Sequence, residues 1–490
     1  MKLLPVMPAL RSRLALSMVA CLVLAVAPIA AAQQQAKPAE NESTEAIYQR
    51  FCASCHGKDL TGAGAQSMVD GVWQFGSGNG SLFRNIKFGI TSRGMPEYQH
   101  ALSDRQINDL VGFIMKAQDR ADVEPPPLPE KLETRHYDVG VAKWIDGGLQ
   151  APWALVFIDD HRAIISERPG RLRMVTDGKL NPEPVRGTPN CLPEGQGGYM
   201  DVALDPDYAN NGWVYLSYSD PWTNDQGKVL SMTRVARGKI VDNEWTESQD
   251  VYRAANEAYS DTRHHYGSRI AFDHEGRMLL GVGERGAQDL AQDLQRPNGK
   301  IHRVWPDGRI PDDNPYADGK QGLKTVYSYG HRNPQGLAVH PETGEIWETE
   351  HGPMGGDEVN LVLKGENYGW PLASYGINYD GNIITENMTL EGTRQPVSYW
   401  VPSIAVCGTR FCVGDEFPRW QHNLLVGGLA YEELRRLVVA QGRVLHQEVL
   451  LKNAGRVRDV ACDPSGAVYV VLNNPDIVLK LTNLGRALRQ

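Results

Sequence analysis

Long apolar segments and an excess of positive charge are both missing from most of this 490-residue chain. Beyond the first 32 residues no stretch is long and apolar enough to cross a bilayer, so the sequence predicts no membrane span. The 50 Lys and Arg residues are outnumbered by 59 Asp and Glu residues, which gives a formal net charge of -9. This acidic balance argues against nucleic acid as a partner, because phosphate binding depends on a basic surface.

The one strongly apolar segment lies at the N-terminus. Residues 1–32 begin with the basic residues Lys2, Arg11 and Arg13, continue with an apolar stretch over 14–27 and end in small residues. This order is typical of a secretory signal peptide. The sequence therefore predicts a periplasmic protein.

Cysteine is also scarce, with seven residues in the chain, of which Cys21 lies in the predicted signal peptide. Four others are Cys191, Cys407, Cys412 and Cys462. An even number in an oxidising compartment is compatible with disulfides. The short loop favours a Cys407–Cys412 bridge, but four cysteines allow three pairings and the sequence does not choose among them.

The remaining two cysteines form part of a compact motif. Cys52 and Cys55 are three residues apart and His56 follows at once, which is the pattern that attaches a c-type haem. One helical turn lets both sulfurs reach the haem vinyl groups, with His56 under the iron as an axial ligand. Met95, in a loop bracketed by Gly and Pro, is the predicted sixth ligand, and Met68 is its competitor. The motif predicts haem c, which transfers single electrons.

A helix is predicted after the Met95 loop. Ser103 is placed as its N-cap, and apolar residues follow at helical spacing as far as Ile114. This segment is similar to the C-terminal helix of a small class I cytochrome c, so an all-α cytochrome c domain is predicted over residues 41–120. The Pro-rich segment 121–135 predicts a linker, because such chains are semi-extended and form helices poorly.

Residues 136–490 show a different pattern, in which an apolar strand, a turn with Asp or Gly and a second apolar strand recur. The copies lie at 154–159, 201–206, 269–273, 336–341 and 459–464, with a weaker copy near 424–429. Hairpin-rich units of this kind predict an all-β six-bladed propeller, preceded by the small all-α cytochrome c domain. Because the unit length varies, a large β-sandwich array is the alternative.

Several short motifs occur in order along the predicted propeller. They are Glu-Gly-Gln-Gly-Gly-Tyr-Met-Asp at 194–201, Arg-His-His-Tyr-Gly-Ser-Arg-Ile at 263–270, Gly-Val-Gly-Glu at 281–284, and the stretches 329–336, 350–358, 367–371 and 456–459. Together they resemble the soluble sugar dehydrogenases that depend on pyrroloquinoline quinone (PQQ), the glucose/sorbosone dehydrogenase family, and especially its aldose sugar dehydrogenase branch. The resemblance spans about residues 145–483.

This resemblance implies a polar shell around PQQ, a flat ortho-quinone that carries three carboxylates. Guanidinium groups suit such an anion, because their fork geometry matches a carboxylate. The implied cofactor-binding residues are Gln196, Arg332, Asn333, Tyr379, Arg456 and Arg458. The backbone carbonyls of Gly352 and Pro353 are implied to hold a Ca²⁺ that polarises the quinone, and Glu358 with the backbone of Tyr368 a second, structural Ca²⁺.

Sugar oxidation also needs a base for the hydroxyl proton, and neutral imidazole has a suitable pKa near neutral pH. Of the adjacent pair His264 and His265, the family spacing to Arg269 selects His265. Glu284 is expected to orient that imidazole and to stabilise its charged form. Arg332 is expected to stabilise negative charge that grows on the quinone oxygen.

One position departs from the family pattern. Many relatives carry a lysine against the quinone where this chain has Ala430. Alanine cannot contribute a charge, so the departure bears on PQQ affinity and on the group that assists hydride transfer.

The predicted function is oxidation of an aldose at its anomeric hydroxyl to the lactone. PQQ would take two electrons, and the fused haem would pass them on singly to a soluble cytochrome or a respiratory-chain component. Fusion supports this order, because a tether keeps the haem at a high effective concentration. Two alternatives stay open: a dehydrogenase of sorbosone, another aldehyde or an alcohol, and a propeller that binds a saccharide or protein without PQQ, beside a redox-sensing cytochrome.

Overall fold

The structure is a computed structural model that describes residues 37–39, 42–76, 78–121 and 127–485. The predicted signal peptide, residues 1–32, and part of the predicted linker lie outside the described residues. Among the helices that the structure describes, none is both long and apolar enough to cross a membrane.

The N-terminal part is helical, as predicted. Its helices are α1 (Thr44–Phe51), α2 (Ala53–His56), α3 (Asn79–Phe88) and α4 (Asp104–Arg120), with a 3₁₀ turn at Thr91–Arg93. Ile107, Leu110 and Ile114 of α4 are almost fully buried in the core of this domain. Burial of these apolar side chains at helical spacing is what holds α4 against the rest of the domain.

The start of α4 confirms the predicted N-cap. The backbone N–H of Gln106 donates to Ser103 Oγ (3.3 Å), and the Ser103 N–H donates to Gln106 Oε1 (3.0 Å). This reciprocal capping box satisfies two backbone donors that the helix itself leaves unpaired, and a cap of this kind contributes about 1 kcal/mol.

The rest of the chain forms six antiparallel sheets, which confirms the predicted six-bladed propeller. The chain first forms two strands of the sixth, closing blade, β1 (Lys131–Glu133) and β2 (Asp138–Ile145). Blade one then comprises Pro152–Phe157 (β3), Arg162–Glu167 (β4), Arg171–Thr176 (β5) and Lys179–Leu180 (β6), and blade two comprises Tyr199–Leu204 (β7), Val214–Thr223 (β8), Val229–Val241 (β9) and Glu244–Arg253 (β10). Blade three comprises Ile270–Phe272 (β11), Met278–Val282 (β12), Lys300–Val304 (β13) and Val326–Tyr329 (β14), and blade four comprises Pro334–Val339 (β15), Ile346–Glu350 (β16), Asp357–Val362 (β17) and Ser398–Trp400 (β18).

The fifth blade comprises β19 (Val406–Phe411), β20 (Leu424–Gly428), β21 (Glu433–Ala440) and β22 (Arg443–Lys452), and the sixth has β23 (Arg456–Cys462), β24 (Val468–Asn473) and β25 (Ile477–Asn483). A short helix, α5, spans Tyr208–Asn211, and further 3₁₀ turns lie at Asn256–Ala258, Gln288–Ala291 and Pro418–Trp420. The sixth blade is closed by β2, whose residues pair with β25 from Val139↔Asn483 to Ile145↔Val478. Pairing the first propeller strand with the last removes two exposed sheet edges.

Five of the predicted repeats coincide with the inner strands of blades. The weaker copy was assigned to the wrong strand. Residues 424–429 fall on β20, the second strand of blade five, whereas its inner strand is β19. The reason is that β19 reads Val-Cys-Gly-Thr-Arg-Phe, in which Gly408 and Thr409 interrupt the apolar run. Gly408 has no room for a side chain, because an added Cβ would lie 2.2 Å from Asp459 Oδ1.

The blades meet at the propeller axis through a buried ion triad. Arg269 Nη1 contacts Asp201 Oδ1 (3.1 Å) and Asp459 Oδ1 (2.9 Å), so three blades share one guanidinium. The second oxygens of the two carboxylates accept the backbone N–H groups of Ile270 and Leu155. Because each charge is paired and hydrogen-bonded, the triad is tolerated in the core and fixes the blades relative to one another.

The four propeller cysteines do not pair as the short loop favoured. Cys407 Sγ accepts a hydrogen bond from Arg458 Nη1 (3.3 Å), whereas Cys412 and Cys462 bring their thiols within hydrogen-bonding reach of each other. Cys407 lies within β19 and Cys412 directly after it, so the two thiols occupy different surroundings. No disulfide joins any two of the six cysteines that the structure describes.

Candidate active site

Most of the site residues predicted on the propeller gather at one of its ends, which we call the top face. It is formed by the loops before the inner strands and after the second strands of the blades, because successive antiparallel strands return the chain to that end. The top-face residues considered below are Arg168, Gln196, His265, Glu284, Arg332, Asn333, His351, Gly352, Pro353, Ser403, Ala430, Arg456 and Arg458.

The predicted base and its partner form a direct contact. His265 Nδ1 lies 2.8 Å from Glu284 Oε1, and the other carboxylate oxygen accepts the backbone N–H of Gly286. The His265 backbone N–H donates to Gln196 Oε1 (2.9 Å), which brings a third predicted residue to the same place. His265 has a φ of 52°, a left-handed conformation that is uncommon for a residue with a side chain.

Burial lowers the pKa of His265 to about 4, and the positive charge of Arg332 acts in the same direction, while the bond to Glu284 opposes both. Burial alone would raise the pKa of Glu284, but the contact with His265 and the charge of Arg332 keep it below its usual value. At neutral pH the pair is therefore a neutral imidazole that donates its Nδ1 proton to a carboxylate. This leaves Nε2 as the atom that can accept a proton.

Two changes in activity follow from this pair. Activity with a dye acceptor should persist as the pH falls towards 5 and decline near pH 4, where His265 acquires its proton. In Glu284→Gln the acid limb should move to lower pH and turnover should fall by about 10- to 100-fold, because the amide stabilises the imidazolium less than the carboxylate does. Steady-state pH profiles measure both effects, and an unchanged profile in Glu284→Gln would contradict the assigned contact.

Arg332 lies at the centre of the site and is almost fully buried. Its Nη1 donates to the carbonyls of His351 (3.1 Å) and Gly352 (2.8 Å), and its guanidinium lies 5.3 Å from the Trp370 ring centroid. The Glu350 carboxylate accepts the backbone N–H groups of Arg332 (2.5 Å) and Asn333 (3.2 Å) and so fixes the turn that carries them.

Several buried donors around Arg332 are left without partners in the part of the chain that the structure describes. They are Arg332 Nε, Asn333 Nδ2 and Trp370 Nε1, and the unpaired ring nitrogen His351 Nε2 lies among them. Unpaired buried donors are costly in a folded protein, so their concentration at one place indicates a polar ligand. A quinone with carbonyl and carboxylate oxygens fits this donor set.

Three arginines converge beside these donors. Burial lowers the pKa of Arg456, and the neighbouring charges of Arg458 and Arg168 lower it further. Arg458 Nη1 contacts Cys407 Sγ, and Arg168 Nε donates to the Gly197 carbonyl (3.3 Å) in the loop that carries Gln196. Like charges held together in partial burial favour an anion, as the carboxylates of PQQ would supply.

Two residues of this arrangement were not predicted from the sequence. Arg168 follows β4, and its only sequence signal is a charged residue directly after an apolar strand. Burial lowers the pKa of His351 to about 3, with the charges of Arg332 and Arg458 acting in the same direction. His351 stands in the motif at 350–358, in which the two following carbonyls were predicted to bind Ca²⁺.

Tyr379 is placed differently from the other predicted cofactor residues. It is 65% exposed, whereas Arg332 and Asn333 are almost fully buried. The implied role of Tyr379 in the cofactor shell therefore stays a prediction. Another cavity of the propeller lies between blades two and three and is lined by 251–255 and 295–297 among others. It contains none of the predicted site residues.

The carbonyls implied to hold Ca²⁺ are both engaged by protein donors. Gly352 O accepts from Arg332 Nη1, and Pro353 O accepts from Ser403 Oγ (3.3 Å). The Gly352 N–H donates to Asp357 Oδ1 (2.9 Å), which orients this loop. Each carbonyl oxygen has a second lone pair, so the set is compatible with a hard cation.

Glu358 lies in a second candidate cation site. Asn360 Nδ2 donates to carboxylate oxygens of Glu348 (3.0 Å), Glu350 (3.2 Å) and Glu358 (3.2 Å). Burial, followed by the charge of Glu350, raises the pKa of both Glu348 and Glu358. Three carboxyl groups that share one amide are the oxygen donors that Ca²⁺ prefers, and Tyr368 lines the same cleft.

Calcium should therefore stabilise the protein through Glu358. Adding Ca²⁺ to chelator-treated protein should raise the melting temperature, since a ligand at 100 times its Kd stabilises by about 2.7 kcal/mol. In Glu358→Gln the rise should shrink, whereas Glu391→Gln, which removes an exposed carboxylate, should keep it. Calorimetry with and without Ca²⁺ tests this, and equal shifts in both variants would exclude Glu358 as a ligand.

The predicted haem ligands lie on the N-terminal helices. Cys52 separates α1 from α2 and Cys55 lies within α2, close enough for its charge to add to the burial that raises the pKa of Cys52. His56 Nδ1 is 3.3 Å from the Gln66 carbonyl, which leaves Nε2 for iron, a common arrangement for metal-bound histidine. Met95 closes a tight loop by exchanging backbone hydrogen bonds with Ile90, while Met68 is buried in the domain core. This arrangement fits the haem c prediction.

Comparison with known families divides the chain in the same way as the fold. Residues 149–480 match the model of the family described as Glucose / Sorbosone dehydrogenase. Residues 39–114 match the model described as Cytochrome C oxidase, cbb3-type, subunit III. The first match covers more than half of the chain and contains every candidate site residue of the propeller.

Individual relatives agree with the family match. The chain is 40% identical over 329 residues to aldose sugar dehydrogenase YliI of Escherichia coli (strain K12), an alignment that covers 66% of this chain and 87% of the relative. The crystal structure of the soluble aldose sugar dehydrogenase of Escherichia coli in the apo form superposes with a TM-score of 0.65 at 37% identity, covering 70% of this chain and 99% of that one. The PQQ-bound form of the Streptomyces coelicolor aldose sugar dehydrogenase gives a TM-score of 0.58 at 26% identity, covering 73% and 99%.

Proposed function

Because the chain belongs to the glucose/sorbosone dehydrogenase family and carries an N-terminal cytochrome c domain, we propose that it oxidises an aldose to its lactone with PQQ and delivers the electrons to its own haem. The observation that carries this proposal is the contact between His265 and Glu284 beside a group of unpaired donors and convergent arginines. We place the activity in the periplasm, on the basis of the predicted signal peptide.

When bound, PQQ supplies a two-electron acceptor that takes a hydride from the anomeric carbon. The residues of this chain manage the proton and the charge. His265 Nε2 accepts the proton of the anomeric hydroxyl, while Glu284 holds Nδ1 and stabilises the imidazolium that results. Loss of the hydride and the proton converts the C–OH group into the lactone carbonyl.

Binding and orientation of the cofactor fall to the arginines and amides. Arg332, Arg456 and Arg458 would hold its oxygens with fixed guanidinium groups, and Asn333 Nδ2 adds a buried donor. The charge of Arg332 acts on His265, and this guanidinium would also favour negative charge at the reacting end. The loop at Gly352 and Pro353 would hold Ca²⁺, with Ser403 and Asp357 as the groups that orient it.

Reconstitution tests the proposal directly. Protein treated with PQQ and Ca²⁺ should reduce a dye in the presence of an aldose, and the product should be identified as the lactone or its hydrolysed acid. Protein without PQQ is the control and should be inactive. Oxidation of aldehydes or alcohols in preference to aldoses would replace the substrate class. Saccharide binding with no turnover in PQQ-loaded protein would reject the enzyme and favour a binding propeller.

A further inference from the structure

The N-terminal domain contacts the propeller through one side of α3 and the turn before it. We define the docking face as Phe75, Gly76, Arg84 and Lys87 of this domain. Arg84 Nη1 donates to the Ser403 carbonyl of the propeller (3.3 Å), and its guanidinium lies 5.7 Å from the Tyr431 ring centroid. Within its own domain, Nη2 donates to the Phe75 carbonyl (3.0 Å) and to Asn85 Oδ1 (2.9 Å). Arg84 is thus held on both sides of the domain boundary.

The turn at Phe75 and Gly76 fits closely against the loop at Ala430 and Tyr431. The Phe75 and Tyr431 rings meet edge to face at 6.2 Å between centroids, and Tyr431 is only 6% exposed. Gly76 has a φ of 84°, and an added Cβ would lie 2.5 Å from the Ala430 carbonyl oxygen. The residue that departs from the family pattern, Ala430, therefore lies at this boundary. Backbone approach of this kind requires glycine.

A third contact lies at the C-terminal end of α3. Lys87 is 7% exposed, pairs with Asp104 in its own domain (2.9 Å) and donates to the Asp380 carbonyl of the propeller (3.3 Å). A Cβ at Gly381 would lie 3.2 Å from Lys87 Nζ and 3.6 Å from the Phe88 ring. A buried lysine with partners in both domains is typical of a built interface, whereas a chance contact leaves such a charge in water.

The docking face is joined to the candidate active site by consecutive hydrogen bonds. Ser403 accepts from Arg84 through its carbonyl and donates through Oγ to the Pro353 carbonyl. The adjacent Gly352 carbonyl accepts from Arg332. One propeller residue, Ser403, therefore connects a side chain of the cytochrome c domain by direct hydrogen bonds to the loop predicted to hold Ca²⁺ at the quinone.

We propose that the cytochrome c domain is seated on the top face of the propeller by the docking face, and that Arg84 is the positioning residue that keeps the haem beside the quinone site for direct electron transfer. The haem then receives electrons in a fixed arrangement, without a search by a tethered but mobile domain. This inference rests on the proposed function for its consequence, although the seating itself does not require it.

Arg84→Met tests the positioning role, with Arg105→Met as the matched control. Arg105 is an exposed arginine on α4 of the same domain, so the control removes an equal charge away from the propeller. Reduction of the haem by sugar should slow by at least about 10-fold in Arg84→Met, because loss of seating lowers the effective concentration of the haem at the site. Dye reduction should be little changed, and Arg105→Met should behave as the unmodified protein.

A second pair tests the seating without any activity measurement. Gly76→Ala places a Cβ against the Ala430 carbonyl, whereas Gly78→Ala has the same φ of 84° and no atom within 4 Å. Both substitutions introduce a similar backbone strain at this φ, but only Gly76→Ala should separate the domains. Hydroxyl-radical labelling of Tyr431, followed by mass spectrometry, should rise in Gly76→Ala and Arg84→Met and stay low in the two controls.

The outcomes separate the two proposals. Unchanged Tyr431 labelling in both test variants, with intact haem spectra, would overturn the seating. Increased labelling with an unchanged rate of haem reduction would overturn the positioning role of Arg84. If sugar does not reduce the haem of the unmodified protein, the proposed function fails, and the labelling result still decides the seating.

Discussion

Replacement of His265 by alanine should lower the turnover of PQQ- and Ca²⁺-loaded protein by about 100-fold or more, because no other group takes the hydroxyl proton at that place. Its Nδ1 is tied to Glu284 (2.8 Å), so the ring is already oriented with Nε2 towards a substrate. The KM for sugar should change less than kcat, since the proton transfer takes place in the transition state. Steady-state kinetics with a dye acceptor measures both constants.

His264→Ala is the matched control for this experiment. The two imidazoles are adjacent, with ring centroids 4.5 Å apart, but the hydrogen bond to Glu284 belongs to His265. His264→Ala should therefore retain most of the turnover. PQQ binding, followed by the quenching of protein fluorescence, should survive in both variants. Equal losses of turnover in both would show that the loop as a whole, rather than one imidazole, supports the reaction.

Removal of the haem thiols should disconnect sugar oxidation from a cytochrome acceptor. In the double variant Cys52→Ser, Cys55→Ser, covalent haem should be absent, and reduction of an added soluble cytochrome c should fall by about 100-fold or more. Dye reduction should persist, because the candidate site lies entirely on the propeller. Cys191→Ser removes a thiol from the propeller and serves as the control, with both activities retained.

The thiol experiment separates the roles of the two domains. The comparison requires that haem content be measured by absorbance and that the fold of each variant be checked by circular dichroism. If the haem-free variant reduces the added cytochrome as fast as the unmodified protein, electrons leave the propeller directly. The fused domain would then have another role.

The fold was largely predictable, because its signals are local. The haem motif, the capped helix at Ser103 and the apolar strands that begin each blade are all read within about ten residues. The exception is the inner strand β19, which the local apolar pattern does not identify. Gly408 and Thr409 weaken its apolar pattern, since the strand passes the ion triad at Arg269 and Asp459 and has no space for a side chain there.

Site residues that belong to a sequence motif could be predicted, whereas residues that reach the site only through the packing of the fold could not. Contact between His265 and Glu284 follows from the resemblance, and the structure brings the two within hydrogen-bonding distance. Arg168 was missed, because its approach to Arg456 depends on the closure of the propeller between its first and last blades. The exposure of Tyr379 was not foreseen either, since a motif carries no information on burial.

The docking face could not be predicted from the sequence for the same reason. Arg84 and Ser403 are 319 residues apart, and neither stands in a motif. Ala430 was read as a lost charge, whereas in the structure its carbonyl borders Gly76 of the cytochrome c domain. The loop that departs from the family pattern is therefore the loop that the cytochrome c domain contacts.

The most direct test is the absorbance of the haem itself. Protein loaded with PQQ and Ca²⁺ is mixed without oxygen with each member of a panel of aldoses, and no other acceptor is added. Our account predicts that at least one aldose reduces the haem of the unmodified protein and that His265→Ala slows this reduction by about 100-fold or more. A haem that stays oxidised across the whole panel, in protein shown to contain bound PQQ, would contradict it.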